Sequence, residues 1–457
     1  MDTSVLTTQM REYFETGVTK NYNFRLEQLQ KLKACVQKYE IEIFDALHKD
    51  LHKSKEESWI TENGFFLSEI GIAIKKLKGW MNPEKVGTNL LNIPSSSFIM
   101  AEPLGVVLIV SPWNYPFQLL LTPLIGAIAA GNCVVLKPSE LAPATAAIMK
   151  IIIEETFDEE YILYLEGDGA TVVPELMNSF IFDHVFYTGS TAVGKSIYEL
   201  AAKNLVPVTL ELGGKSPCIV ESDADIKTAA KRIAMPKFSN AGQMCVAPDY
   251  LLVHQSVKDE LVNELKKVIH NFFGADAQKS DFFGRIINEK QFTRLEKYLS
   301  NGKLLAGGKT DRNNLYIEPT LLDINNLNDP IMQEEIFGPI LPILAFTEMK
   351  EALDIIKQHK NPLAMYVFTS SAEKEKQWLT AVPFGGGCVN NASLHLTNHK
   401  LPFGGRGASG MGNYHGRFSF DTFSHKKAVM KTPTWLDLAI KYPPYTGKLN
   451  LFKKAIN

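Results

Sequence analysis

Residues 104–137 read LGVVLIV SPWNYP FQLLLTPLIGAIAA GNCVVLK, and the fold depends on how this run is divided. Residues 104–110 are continuously apolar and rich in β-branched side chains, the mark of a strand buried on both faces. Residues 117–130 read as a helix that Gly131-Asn132 stops. Residues 133–137 return to a β-branched run. No residue between 103 and 136 is charged, so a hydropathy window suggests a membrane span. Pro112, Asn114, Pro116, Pro123, Gly126, Gly131 and Asn132 interrupt it, however. Strand, turn, helix and strand is the better division, and that is the repeating unit of a parallel sheet.

The alternation continues downstream with helix 142–155, strand 161–165, a short helix near 171–177, strand 184–187 and helix 191–203. It restarts at 206, with strands 206–210 and 218–220, helix 225–235, strand 250–253 and helix 256–273, which predicts a second α/β unit. Upstream, residues 24–51 and 57–80 carry apolar side chains at helical spacing, and 89–101 is β-prone. Residues 385–387 and 402–416 are too rich in glycine for helix or strand interiors and predict structured loops. The tail, 432–457, holds Pro433, Pro443 and Pro444 around a short apolar turn at 435–440.

The chain has 457 residues, 45% hydrophobic and 21% charged, enough for two or three domains without disulfides or metal. A net charge of -2 offers no electrostatic case for nucleic acid or an anionic membrane as partner. The five cysteines, Cys35, Cys133, Cys218, Cys245 and Cys388, are widely spaced and never form a CxxC pair. They read as free thiols in a reducing compartment. With no apolar leader at the N-terminus, the expectation is a cytoplasmic protein, and the sequon Asn391-Ala392-Ser393 has no route to glycosylation. His395 and His399 lack a carboxylate or cysteine to complete a zinc set, so no metal is expected.

Several residues have chemical potential, each with an ordinary alternative. Gly189-Ser190-Thr191-Ala192-Val193-Gly194-Lys195-Ser196 matches the phosphate-binding P-loop between a strand and a helix. The same turn suits a dinucleotide pyrophosphate, held by backbone N–H groups and the helix dipole. The usual G-x-G-x-x-G is absent, and spacing alone does not separate ATP from NAD. Glu221 and Asp223 are imperfect candidates for the Mg²⁺ carboxylate that a P-loop enzyme needs. Cys245 is either an inert buried thiol or a nucleophile presented by a turn between Gly242 and Pro248. Neither Cys35 nor Cys388 has an activating base nearby in sequence. Glu211 ends a β-run before Leu212-Gly213-Gly214-Lys215, as a partner of Lys215 or as a general base of raised pKa. Asn114 is a turn former or an amide donor to an oxyanion. Lys137, at the end of the next strand, is a solvated terminus or a ligand contact.

Taken together, the ordered set Trp113-Asn114-Tyr115-Pro116, Lys137-Pro138-Ser139-Glu140, Gly189-Ser190 with Gly194, Glu211-Leu212-Gly213-Gly214-Lys215-Ser216-Pro217, the surroundings of Cys245, Glu334-Glu335-Ile336-Phe337-Gly338-Pro339 and Pro402-Phe403-Gly404-Gly405 resembles the aldehyde dehydrogenase superfamily. Ser409-Gly410-Met411-Gly412, Tyr414-His415-Gly416 and the stretch Ser419-Phe420-Asp421-Thr422-Phe423-Ser424-His425 look like its class-three and fatty aldehyde branch. The resemblance implies two parallel-sheet α/β domains, a Rossmann-like cofactor domain and a catalytic domain, with a small β oligomerisation arm. It assigns residues 1–85 and 103–209 to the cofactor domain, 210–390 to the catalytic domain, 86–102 and 391–425 to bridging segments, and 426–457 to a tail.

By the same resemblance Cys245 is the nucleophile and Glu211 the base, and Asn114 with the Cys245 backbone N–H holds the oxyanion. Lys137 and Glu140 would contact the adenosine ribose. Gly189, Ser190, Thr191, Val193 and Gly194 would line the pyrophosphate region, Glu335 the nicotinamide ribose, and Phe337 the nicotinamide. The implied reaction is NAD-dependent oxidation of an aromatic or medium-to-long aliphatic aldehyde, with NADP tolerated, by a homodimer without a membrane span. A dehydrogenase passing its acyl group to coenzyme A and a P-loop ATPase or kinase are the alternatives. Met244, where Thr or Val is commoner, and Arg406, where many members have Val, depart from the pattern.

Overall fold

The computed structural model describes residues 3–456. Its central element is the expected β-α-β unit. Strand Val106–Val110 is buried at every position and runs parallel to Cys133–Lys137. Helix Pro116–Ala130 joins them, with Pro116 at its first turn, where a missing N–H costs nothing, and Gly131 at φ 94° ending it. This helix is buried on every side, since the helices Tyr22–Lys38 and Gly64–Met81 and the segment Arg417–Thr422 cover it. That burial accounts for the uncharged run, and no helix among the described residues is long and apolar enough to cross a membrane.

Six strands form the first sheet, in the order Ile162–Tyr164, Cys133–Lys137, Val106–Val110, His184–Thr188, Val208–Glu211 and Gly410–Met411. All pairs are parallel except the last. Strand order reverses between Val106–Val110 and His184–Thr188. At such a switch point the loops leave the carboxyl ends in opposite directions and open a crevice. Seven strands form the second sheet, in the order Lys303–Ala306, Thr320–Asp323, Ile340–Phe346, Tyr250–His254, Pro217–Val220, Ala364–Phe368 and Gly386–Val389, parallel except for Lys303–Ala306. A three-stranded antiparallel sheet, Glu84–Val86, Ser96–Pro103 and Ser424–Lys431, projects from the pair.

Three local expectations are corrected. The β-run at 206–210 does not open the second unit: Val208–Glu211 pairs with His184–Thr188 and belongs to the first sheet, so the second begins at Pro217. Gly385–387 is not wholly loop, because Gly386–Val389 is an edge strand beside Ala364–Phe368. A Cβ on Gly387 would lie 2.2 Å from the Met365 carbonyl oxygen, so glycine lets the edge dock where a side chain would block it. Finally, the segment read as tail from 426 begins inside the strand Ser424–Lys431, which pairs along its length with Ser96–Pro103, and the short apolar turn of the tail appears as a helical turn at Ala439–Lys441.

Candidate active site

The switch-point crevice is walled by Pro112, Trp113 and Asn114 after one strand and by Gly189, Ser190 and Thr191 after the next. Glu335 and Phe337 close it from the second unit. It encloses about 1310 Å³, open solvent at its mouth included. A second cavity of about 950 Å³, open solvent again included, adjoins it and is lined by Phe65, Tyr115, Leu396, Phe403 and Tyr414, among others. Leu119, Thr188, Glu211, Leu212 and Cys245 line both. The residues picked from sequence as nucleophile and base therefore stand where the two spaces meet.

Cys245 is presented by a tightly coiled loop. Asn240, Ala241 and Gly242 all have positive φ (48°, 50° and 75°), and a Cβ on Gly242 would lie 2.3 Å from the Gly338 carbonyl oxygen. Burial pushes the Cys245 thiol up to about 12, with the charges of Glu335 and Glu211 adding to it. The thiol is thus neutral at pH 7 and needs a base before it attacks. Glu211 ends its strand 3% exposed, and neither carboxylate oxygen has a hydrogen-bond partner among the described residues. Burial raises its pKa well above the ordinary carboxylate value. The ordinary alternative fails, because Lys215 pairs with Asp249 at 2.5 Å and donates to the carbonyls of Ile331 and Glu334.

Asn114 is 2% exposed, and its Nδ2 donates to the Gln243 carbonyl at 3.0 Å, which ties it to the nucleophile loop. Phe337, in the left-handed region at φ 53°, stands edge-on to Trp113 with ring centroids 5.4 Å apart. Arg294, which sequence reasoning missed, donates to the Glu335 and Ile336 carbonyls and holds that loop. Burial, then the charge of Asp249, pushes the Glu335 carboxyl up to about 8, and the Gly214 N–H opposes this. Ser190 Oγ caps helix Thr191–Ala202 by accepting from the Val193 N–H. Gly194 packs against Leu212, where a Cβ would meet a methyl at 2.6 Å.

Four residues picked from sequence stand outside the crevice wall. Val193 and Gly194 lie one turn into the helix. Lys137, buried rather than a solvated terminus, donates to the Pro138 carbonyl at 2.6 Å and to Glu140 at 3.3 Å. Glu140 in turn accepts from the Gly169 N–H.

The P-loop alternative is overturned. Helix Thr191–Ala202 begins directly after Gly189-Ser190, so Gly194 and Lys195 lie within the helix rather than in a loop around a phosphate. Lys195 is exposed, while Glu221 is engaged by Trp378 and Lys374 and Asp223 by Thr369, Ser370 and Lys374. Cys388, by contrast, does have a base nearby in space, with His395 Nδ1 3.6 Å from its sulfur, although burial raises the thiol.

The sequence profile of the aldehyde dehydrogenase family matches residues 7–429. The chain belongs to the aldehyde dehydrogenase family. It is 49% identical to the 4,4'-diaponeurosporen-aldehyde dehydrogenase of Staphylococcus aureus, over 97% of this chain and 96% of that one. It is 45% identical to human aldehyde dehydrogenase family 3 member B1, over 96% and 94%. The substrate-bound state of Staphylococcus aureus AldH has the same fold at a TM-score of 0.98 and 47% identity, covering 100% of both chains. An indole-3-acetaldehyde dehydrogenase solved with NAD+ gives a TM-score of 0.85 at 28% identity, over 94% and 88%. This aldehyde dehydrogenase is accordingly an oxidoreductase that oxidises aldehydes with NAD(P), and its relatives place it with the class-three branch.

Proposed function

We propose that the chain oxidises an aromatic or medium-to-long aliphatic aldehyde to the acid, with Cys245 as nucleophile, Glu211 as general base and Asn114 as oxyanion donor. One observation carries this: Cys245 and an unpartnered, buried Glu211 share the junction of a polar crevice and an apolar cavity. The neutral Cys245 thiol releases its proton to water, and the sulfur adds to the aldehyde carbon. The Asn114 amide and the Cys245 backbone N–H receive the oxyanion. A nicotinamide held beside Glu335 and Phe337 would supply the hydride acceptor for that carbon, and Cys245 would then carry a thioester. Glu211, when ionised, then removes a proton from water, which attacks the thioester carbonyl, and the carboxylate product departs from the sulfur.

The residues present suit a dinucleotide. The capped N-terminus of helix Thr191–Ala202 faces the crevice for the pyrophosphate, beside Gly189 and Ser190. Glu335 and Phe337, in the crevice wall, are assigned to the nicotinamide riboside, and Lys137 with Glu140, outside that wall, to the adenosine ribose on the family resemblance alone. A carboxylate at Glu140 disfavours a 2′-phosphate, so NAD is preferred and NADP tolerated. Phe65, Tyr115, Leu396, Phe403 and Tyr414 support an apolar substrate, as does a relative named for 4,4'-diaponeurosporen-aldehyde. The domain division 1–85 with 103–209 and 210–390, the bridging segments 86–102 and 391–425, and a cytoplasmic homodimer rest on the family resemblance and, for the compartment, on five free thiols.

In Glu211→Gln, one burst of NADH should precede turnover slowed roughly 10²–10⁴-fold, while Cys245→Ala should give neither. Wild-type turnover in either variant defeats the assignment. Acyl-CoA formed on adding coenzyme A would move the enzyme to the acylating class, against which Glu211 argues, since water needs a base more than a thiol does.

A further inference from the structure

The Asn114 turn is gripped from behind by charged side chains from the N-terminal helices and the loop between them. Lys53 and Glu62 have side chains 0% exposed and pair at 2.5 Å. Lys53 Nζ also donates to the Asn114 carbonyl at 3.1 Å and lies 3.9 Å from the centre of the Tyr115 ring, so each ammonium proton has a taker. The second oxygen of Glu62 accepts from the Gln118 N–H at 2.8 Å, two residues into the helix that follows. The remaining lone pair of the Asn114 carbonyl accepts from Asn240 Nδ2 at 2.7 Å, and the Asn240 N–H donates to Glu57 Oε1 at 2.6 Å. The oxyanion donor is thus held at its carbonyl by Lys53 and Asn240, and at one amide proton by Gln243.

A buried ion pair is no better for stability than apolar packing of the same volume. Its position here is specific, however. Glu62 lies in Trp59–Asn63, a π-helical turn of the kind frequent at functional sites. Ile60 and Thr61 of that turn line the apolar cavity, so one turn forms a wall of the substrate space and carries the carboxylate behind the oxyanion donor.

We propose that Lys53 and Glu62 are a positioning pair, which orients the Asn114 amide toward the oxyanion and links that orientation to the cavity wall at Ile60 and Thr61. The inference rests on Asn114 being the oxyanion donor. A displacement of about 1 Å at such a donor is enough to cost roughly 10²-fold in rate.

The test compares Asn114→Ala, the uncharged pair Lys53→Met with Glu62→Gln, the triple variant and Lys53→Arg. Sites are counted by iodoacetamide labelling of Cys245, a reaction that uses no oxyanion donor. Asn114→Ala should lower kcat per labelled site about 10²–10³-fold. The uncharged pair should lower it roughly 10–100-fold with aldehyde KM and labelling rate within about threefold of wild type, and the triple variant should fall no further than Asn114→Ala, because the effects share one path. Lys53→Arg, keeping charge and donors, should stay within about tenfold of wild type. If the uncharged pair does not fold, Glu62→Gln alone should show the same direction and the same non-additivity. Full turnover per site in the uncharged pair, or losses that multiply in the triple variant, overturns the positioning role while Asn114→Ala still shows its loss. Wild-type turnover in Asn114→Ala overturns the oxyanion assignment, and the pair with it.

Discussion

Glu211 is the residue at which function opposes stability. Both of its oxygens are buried without partners among the described residues, and its pKa is raised by burial. The folded state therefore keeps the carboxyl protonated across a pH window, upward from about 4.3, in which the unfolded chain has it ionised. The folded state binds more protons there, so stability falls as pH rises through that window. Glu211→Gln should accordingly raise unfolding stability by about 1–3 kcal/mol at pH 8, with the gain fading toward pH 4. Urea unfolding at the two pH values checks this, and a variant less stable at pH 8 would show that the carboxylate is satisfied after all. Cys245 makes a parallel prediction. With its thiol pushed up to about 12 before cofactor binds, the alkylation rate of the free enzyme should climb steadily from pH 7 to about 10. A plateau below about pH 8 would mean a preformed thiolate.

At the scale of elements, the loop after Glu211 is set by close approach. A Cβ on Gly213 would lie 2.0 Å from Glu335 Oε2. Gly213→Ala should push Glu335 out of the crevice and raise the NAD KM by roughly tenfold while leaving Cys245 labelling unchanged, a loss on the order of 1.4 kcal/mol in binding. Steady-state kinetics in both substrates checks it. Elements such as the β-α-β unit at 104–137 were legible in sequence because burial on both faces leaves an uninterrupted apolar run. The edge strand Gly386–Val389 was not legible, since its glycines answer to the Met365 carbonyl and to His395, neither of which spacing reveals. Nor was the Lys53 and Glu62 pair: a Lys, Glu and Ser-rich stretch at 53–58 has the composition of a solvated helix face, and its partner Asn114 is sixty-one residues away. Cys245, Glu211 and Asn114 stood out for another reason. Each lies in a motif whose order along the chain carries information that no single residue type does.

For the whole molecule, the decisive fact is that two spaces with otherwise different linings meet at Cys245 and Glu211. With cofactor in the crevice and aldehyde in the cavity, as proposed above, each wall can be altered without the other. Phe403→Ala should raise the KM for long or aromatic aldehydes by roughly 10–100-fold, by loss of apolar contact, and leave the NAD KM within about threefold. Glu335→Gln should do the reverse. Coupled changes in both KM values, measured over a graded aldehyde series, would show the two spaces to be one.

The mounting of Glu211 has a wider consequence. Its backbone is laddered on both sides, to Thr188 in one neighbouring strand and Gly410 in the other, while its carboxylate touches no partner. The base is a loose side chain on a rigid post. Any swing it makes between the sulfur and the incoming water is a rotation about its own side-chain bonds and needs no loop closure. Repositioning the base is therefore uncoupled from loop motion, and solvent friction on moving loops has no purchase on it.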